Sequence, residues 1–293
     1  MSVLYAIITV LAWGFWLVPS QRVTFANERI RTAYVALANL LLVAGVFAFR
    51  GGGEVDAVAW LLSFGGGLVW CGGCWAAFAS TRRIGIARAM ALWAPINILT
   101  ACGWGALLFG EFLDWPLRDQ GLLALGLFFL SAGILLIVSS NDKSGTAPPS
   151  RLSGLLLAVV AGVLWGTYFI PLQASGIDVW TGMLPLALGI AFGALLGLGR
   201  DWSSLRLPRP SDYTGALGSG LLWSLGNVTS LLLMSAIGTG RGFTIAQLCI
   251  VVNALAGIYL LGQPASGSRA AKLTLTGSAV GILGGAIVGN LRS

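Results

Sequence analysis

Long apolar runs separated by short polar turns set the pattern of this chain. Ten such runs can be marked: 3–19, 31–49, 57–79, 86–109, 120–139, 152–172, 177–198, 212–236, 242–262 and 270–290. A helix crossing a bilayer needs ~20 apolar residues. Backbone groups in hydrocarbon must be satisfied within their own segment, so each run is predicted to be a transmembrane helix. The first run has no preceding basic stretch and no small-residue cleavage site, so it is expected to remain as the first span rather than leave as a signal peptide. Pro95 lies inside the fourth run, where a missing N–H is expected to bend or interrupt the helix. The longest polar stretch is Ser139–Arg151, at the midpoint of the chain, with Lys143, Pro148, Pro149 and Arg151. It reads as a linker.

The two halves repeat each other. WGFWLVPSQ at Trp13–Gln21 matches WGTYFIPLQ at Trp165–Gln173, an offset of 152 positions. GLVW ending at Trp70 matches GLLW ending at Trp223, and IGIAR ending at Arg88 matches IGTGR ending at Arg241. LLFGE at Leu107–Glu111 matches YLLGQ at Tyr259–Gln263. These matches keep one order at offsets of 152–153 and include Trp, Pro, Gln and Arg. Residues 1–140 are therefore expected to form a first five-helix repeat, 141–151 the linker and 152–293 a second five-helix repeat. Five crossings is an odd number, so the second repeat runs through the membrane in the opposite sense. The expected fold is an all-α integral membrane protein, ten helices in two inverted five-helix repeats, with a binding site near the midplane where they meet.

Composition agrees. Of 293 residues, 57% are hydrophobic and 9% charged, against about 25% charged in an ordinary globular domain. This excludes a soluble globular domain, a disordered chain and a nucleic-acid binder. The charge of +7 comes from 17 Lys+Arg against 10 Asp+Glu, with no His to serve as base, metal ligand or proton relay. The cations are spread through loops. Arg22, Arg29, Arg31, Arg82, Arg83, Arg88, Lys143, Arg151, Arg200, Arg206, Arg209, Arg269 and Lys272 follow odd-numbered spans; Arg50, Arg118, Arg241 and Arg292 lie on the other side. The bias puts the first group in the cytoplasm and both termini outside.

Chemistry has few carriers. Cys71 and Cys74 form CGGC, but mid-span and without basic neighbours, so they and Cys102 and Cys249 read as packing residues rather than redox or metal groups. Gly277, Gly281, Gly285 and Gly289, and Gly189, Gly193 and Gly197, form small-residue stripes suited to close helix packing within or between subunits. The buried amides are Asn39, Asn97, Asn227, Gln247 and Asn253. Such groups either join helices or face a wet cavity. Asn227 lies four residues after Trp223, and Asn97 four after Trp93, each on its tryptophan's helix face. Trp13, Trp16, Trp70, Trp93, Trp165 and Trp223 lie well inside spans, whereas Trp115 and Trp202 suit the interface. An indole offers a flat apolar face and one N–H, which suits a sugar ring or a planar heterocycle. The alternative for each tryptophan is a core filler. Candidate solute-binding residues are thus Trp13, Trp16, Trp70, Trp93, Asn97, Trp165, Tyr168, Trp223, Asn227 and Gln247. No acid falls mid-span. Glu111 is the nearest candidate for coupling or gating, with Arg88 and Arg241 as candidate gating or anion-attracting groups whose other role is structural.

The inverted five-helix pattern resembles the drug/metabolite transporter superfamily. Within it, WGxxxxPxQ in span 1, GLxW in span 3, FGE at Phe109–Glu111 and GFTIAQLCIVVNALAGIYLLGQ at Gly242–Gln263 look like the glucose/ribose porters, themselves similar to rhamnose transporters and ureide permeases. The resemblance implies a ten-helix carrier for small polar solutes, sugars first. It departs at Gln263, where such sequences often have Glu, which weakens the carry-over of proton coupling to the second half. The expectation is a secondary carrier of the cell membrane that moves a sugar by alternating access around spans 1, 3, 4, 6, 8 and 9, with or without proton coupling. Nucleobases, ureides or drug-like aromatics are the alternative cargo. No enzymatic constellation, cofactor, metal or nucleic-acid partner is expected, and the chain is expected to be a monomer or homodimer.

Overall fold

The computed structural model describes residues 1–54, 56–84, 86–139, 151–262 and 265–291. The linker expected at 141–151 lies outside the described residues except for Arg151, whose side chain is also outside, as are Gln263, Arg292 and the side chain of Arg88.

Among the described residues every regular element is a helix. The order is α1 Ser2–Phe15, α2 Glu28–Arg50, α3 Ala57–Ile84, α4 Ile86–Phe109, α5 Leu117–Ser139, α6 Arg151–Trp165, α7 Ile170–Ala174, α8 Val179–Leu198, α9 Pro210–Ile237, α10 Thr239–Ala246, α11 Cys249–Leu261 and α12 Arg269–Gly289. Among the described residues, nine stretches are long and apolar enough to cross a membrane, counting α6 with α7 and α10 with α11 as one each. The tenth apolar run is α1, of 14 residues. Large apolar side chains such as Leu107, Phe128, Leu196 and Leu260 point outward, as a lipid solvent permits. The molecule is an integral membrane protein.

The helices break in places the apolar pattern does not reveal. Pro95 sits inside an uninterrupted α4. α6 packs closely on this stretch, with Gly162 and Gly166 directly against the Trp93 and Asn97 carbonyls, where a Cβ would collide. The interruptions fall in spans 1, 6 and 9 instead. α1 stops at Phe15, and a 3-10 turn begins at Pro19, which has no N–H to continue the ladder. α6 stops at Trp165, and α7 begins with Pro171 in its first turn. Between α10 and α11, Leu248 N–H reaches back to Ile245 O and Ile250 N–H to Gln247 O, tight three-residue turns that leave Gln247 at the break.

Both glycine stripes pack inside the chain. Gly277 and Gly284 of α12 lie on the backbone of α5 at Gly133, Gly126 and Leu130, while Gly285 lies against Leu248. Gly189 of α8 rests on the Phe64 carbonyl of α3, Gly193 on Cys71 and Gly197 on Trp75. Dispersion over close backbones holds such pairs together in lipid. The principal remaining contacts join α3 to α6, α9 to α1 and α2, α4 to α6 and α10, α11 to α1, and α2 to α8.

Candidate functional site

The breaks in spans 1, 6 and 9 converge on one cavity of about 270 Å³. Nine of the ten sequence-predicted binding residues line it: Trp13, Trp16, Trp70, Trp93, Asn97, Trp165, Tyr168, Trp223 and Gln247. Its heart is aromatic. The Trp70 and Trp223 rings lie 4.5 Å apart between centroids at 50°. Trp13 donates its indole N–H to the Trp223 carbonyl at 3.0 Å, and Trp165 donates to the Trp70 carbonyl at 3.3 Å. These bonds satisfy the two indole donors. Trp93 meets Trp165 edge to face at 5.4 Å. Gly226 and Gly73 make room for the Trp13 and Trp165 rings, since a Cβ at either would overlap the indole.

Asn227 is not part of the lining. It is buried behind Tyr168, whose hydroxyl donates to Asn227 Oδ1 at 2.7 Å. Helix-face spacing placed it correctly beside Trp223, but a second aromatic stands between it and the hollow. Asn97 does face the cavity, and its Oδ1 is buried without a hydrogen-bond partner among the described residues. Asn253 also lines it and donates to the Gly14 carbonyl at 3.1 Å, tying α11 to the end of α1. Asn39 is fully buried in α2 and outside the lining.

Span 2 was missed by the sequence reading. Glu28, Arg31, Thr32 and Val35 of α2 line the cavity. Read along the chain, Glu28 and Arg31 look like loop charges near a span start; only the packing of α2 on α9 turns this face inward. Because α2 starts at Glu28, the cavity extends toward the end of the bundle that carries the loop between spans 1 and 2. The cysteines are free and buried, as expected of packing residues. Cys71 donates to Ile190 O at 3.2 Å, while Cys74 and Cys249 reach the cavity wall.

Glu111 lies outside the lining, just past the end of α4. Its carboxylate accepts from the backbone N–H of Thr239 and, at 2.9 Å, of Gly240, the first residues of α10. An anion there is favoured by the helix dipole and the unpaired N–H groups. Thr239 Oγ1 donates to Gln173 Oε1 at 2.7 Å, and Gln120 Nε2 donates to the carbonyls of Phe112, Leu113 and Trp115. The ends of spans 4 and 6 and the start of span 9 are thereby laced together. Arg241 is half-buried in α10 and outside the lining. Among the described residues no group of His, Cys, Asp and Glu could hold a metal ion.

A family model described as sugar transport protein matches residues 4–291. A protein of Enterococcus faecalis named for sugar uptake is 27% identical over 299 residues, covering 100% of both chains. A protein of Bacillus cereus named for glucose uptake is 24% identical over 217 residues, 74% of this chain and 73% of its own. A crystal structure with 18% sequence identity superposes with a TM-score of 0.75 over 98% of this chain and 95% of that one. At that identity the likeness concerns the fold alone.

Proposed function

This chain belongs to the sugar transport protein family, and from that premise we propose that it carries a neutral monosaccharide through the plasma membrane by alternating access of the central cavity. It is a multi-pass membrane transporter rather than an enzyme, in keeping with the names of its relatives. The observation that carries the reading is the cavity itself: aromatic faces at mid-depth, amides at its edge and broken helices on its walls. A hollow of about 270 Å³ has room for one small ring. Indole faces take the C–H side of a sugar ring, and Asn97, Gln247 and Asn253 orient its hydroxyls.

Two inverted five-helix repeats supply the machinery. The contacts support this: exchanging each span for the one five later converts α3 on α6 into α9 on α1, α3 on α8 into α9 on α2, and α4 on α6 into α11 on α1. The pairs α5 with α12 and α2 with α8 convert into themselves. The Trp13 and Trp165 hydrogen bonds are likewise exchanged, and the Trp70–Trp223 contact would lie on the pseudo-axis. With the arginine-rich loops in the cytoplasm, the present state is inward-facing, closed outside by the Glu111 lacing. Coupling to protons has no mid-span carboxylate to rest on, and Glu111 serves as a gate.

Uptake of labelled glucose and ribose into proteoliposomes, with uracil and allantoin as rivals, tests the reading. Saturable monosaccharide uptake is expected. Uptake of the planar rivals alone would replace the sugar by a heterocycle stacked on the same tryptophans.

A further inference from the structure

The aromatic wall explains how a ring is held, not how its hydroxyls are read. The polar atoms for that task stand at one end of the cavity. Glu28 and Arg31 share a helix face in the first turn of α2 and both line the hollow. Their charges form a loose ion pair: Arg31 Nη1 stands 3.7 Å from Glu28 Oε2, an ionic contact beyond hydrogen-bond reach. A pair at this spacing could close fully by rotamer change. Here other contacts hold it apart. Arg31 Nη2 donates to Ser20 Oγ at 2.9 Å, and the guanidinium lies over the Phe25 ring at 5.5 Å. Ser20 is fixed in turn, its N–H donating to Ser219 Oγ and its hydroxyl to the Leu17 carbonyl.

Glu28 Oε2, the covered oxygen of a side chain that is otherwise 39% exposed, and Arg31 Nε have no hydrogen-bond partner among the described residues. Asn97 Oδ1 is in the same condition, on a side chain that is 8% exposed. Buried polar atoms without partners are costly, and three of them on residues around one hollow point to a ligand that completes them. The chemistry is specific. A carboxylate accepts only, and a guanidinium donates only. An anion is repelled by Glu28 and a cation by Arg31. A neutral solute with neighbouring hydroxyls fits both, one hydroxyl donating to the carboxylate and the next accepting from the guanidinium.

We propose that Glu28 and Arg31, held apart by Ser20 and Phe25, form the specificity-determining jaw that reads a vicinal hydroxyl pair of the monosaccharide, with Asn97 accepting from a further hydroxyl. This rests on the sugar reading above and adds its recognition element. Only span 2 contributes the jaw. The corresponding positions of the second half, 28 + 152 = 180 and 31 + 152 = 183, are Trp180 and Met183, so the recognition is asymmetric although the scaffold repeats.

The test uses purified full-length protein and its own tryptophan fluorescence, titrated with glucose, ribose and their single-deoxy analogues. For the wild type, removal of one hydroxyl of the pair is expected to weaken binding roughly tenfold or more, the scale of a hydrogen bond to a charged group. Glu28→Gln and Arg31→Gln should each weaken the parent sugar by about the same factor. In Glu28→Gln the penalty for the corresponding deoxy analogue should shrink, because a neutral amide acceptor replaces the charged one. If Arg31→Gln fails to fold, because Arg31 also anchors Ser20, Glu28→Gln carries the test, since its carboxylate holds no hydrogen bond elsewhere. A well-folded Glu28→Gln with unaltered affinity and an unaltered deoxy profile overturns the jaw and leaves the sugar reading standing. A wild type that responds to no monosaccharide overturns both.

Discussion

Replacing Glu111 should loosen the closed end of the cavity. Its two oxygens accept from Thr239 N–H and Gly240 N–H at the start of α10. Hydrogen bonds to a charged group contribute about 1.5–3 kcal/mol each, and Glu111 is partly exposed, so the lower end applies. In Glu111→Ala the amides lose their acceptor and water can reach them only in part, a cost of roughly 2–4 kcal/mol. Glu111→Gln keeps one carbonyl acceptor but turns an NH2 toward the second N–H, so about half of that is lost. The cost falls on the closed state, because the contact joins loop 110–116 to α10 and breaks when they separate. Cys102 reports the separation. It is buried behind the gate, its thiol 3.7 Å from the Gly240 carbonyl and 3.4 Å from Thr244 Oγ1. In a protein whose Cys71, Cys74 and Cys249 are replaced by Ala, maleimide labelling of Cys102 should be slow. A shift of 1.4 kcal/mol is tenfold in population. Labelling should therefore rise about tenfold in the Glu111→Gln variant and further in Glu111→Ala, and monosaccharide should slow it again if the ligand favours the present state. Unchanged labelling in both variants, with the wild-type melting temperature, would show that Glu111 holds nothing shut.

Other consequences are as direct. Gly189→Leu should prevent α8 from seating on the Phe64 carbonyl; a cost above the ~1–3 kcal/mol typical of overpacking is expected, read as loss of monodisperse protein. Trp13→Phe and Trp165→Phe each remove an indole bond to a backbone carbonyl, so they should lower stability by similar amounts, about 1 kcal/mol, in denaturant or thermal unfolding. Asn227→Leu should strand the buried Tyr168 hydroxyl at a cost of roughly 1–3 kcal/mol, most of it recovered in the double variant with Tyr168→Phe.

The apolar runs, their helical state and the membrane setting were legible along the chain. Each follows from a local condition: lipid forces every backbone group into its own helix. The residue types of the cavity stood in the apolar runs too, though core packing and helix joining were equally open uses for them. Tertiary structure decided where they point. Asn227 and Asn97 look alike in sequence, yet one is consumed by Tyr168 and the other faces the hollow. Pro95 carries the strongest breaking signal, yet the chain breaks at Pro19, Pro171 and Gln247, because neighbouring helices determine which lost backbone bonds are tolerable. Glu28 and Arg31 become cavity residues only through the rotation of α2 about its axis. That rotation is set by the helices packed around it, which lie far away in sequence, and no local pattern of side chains encodes it.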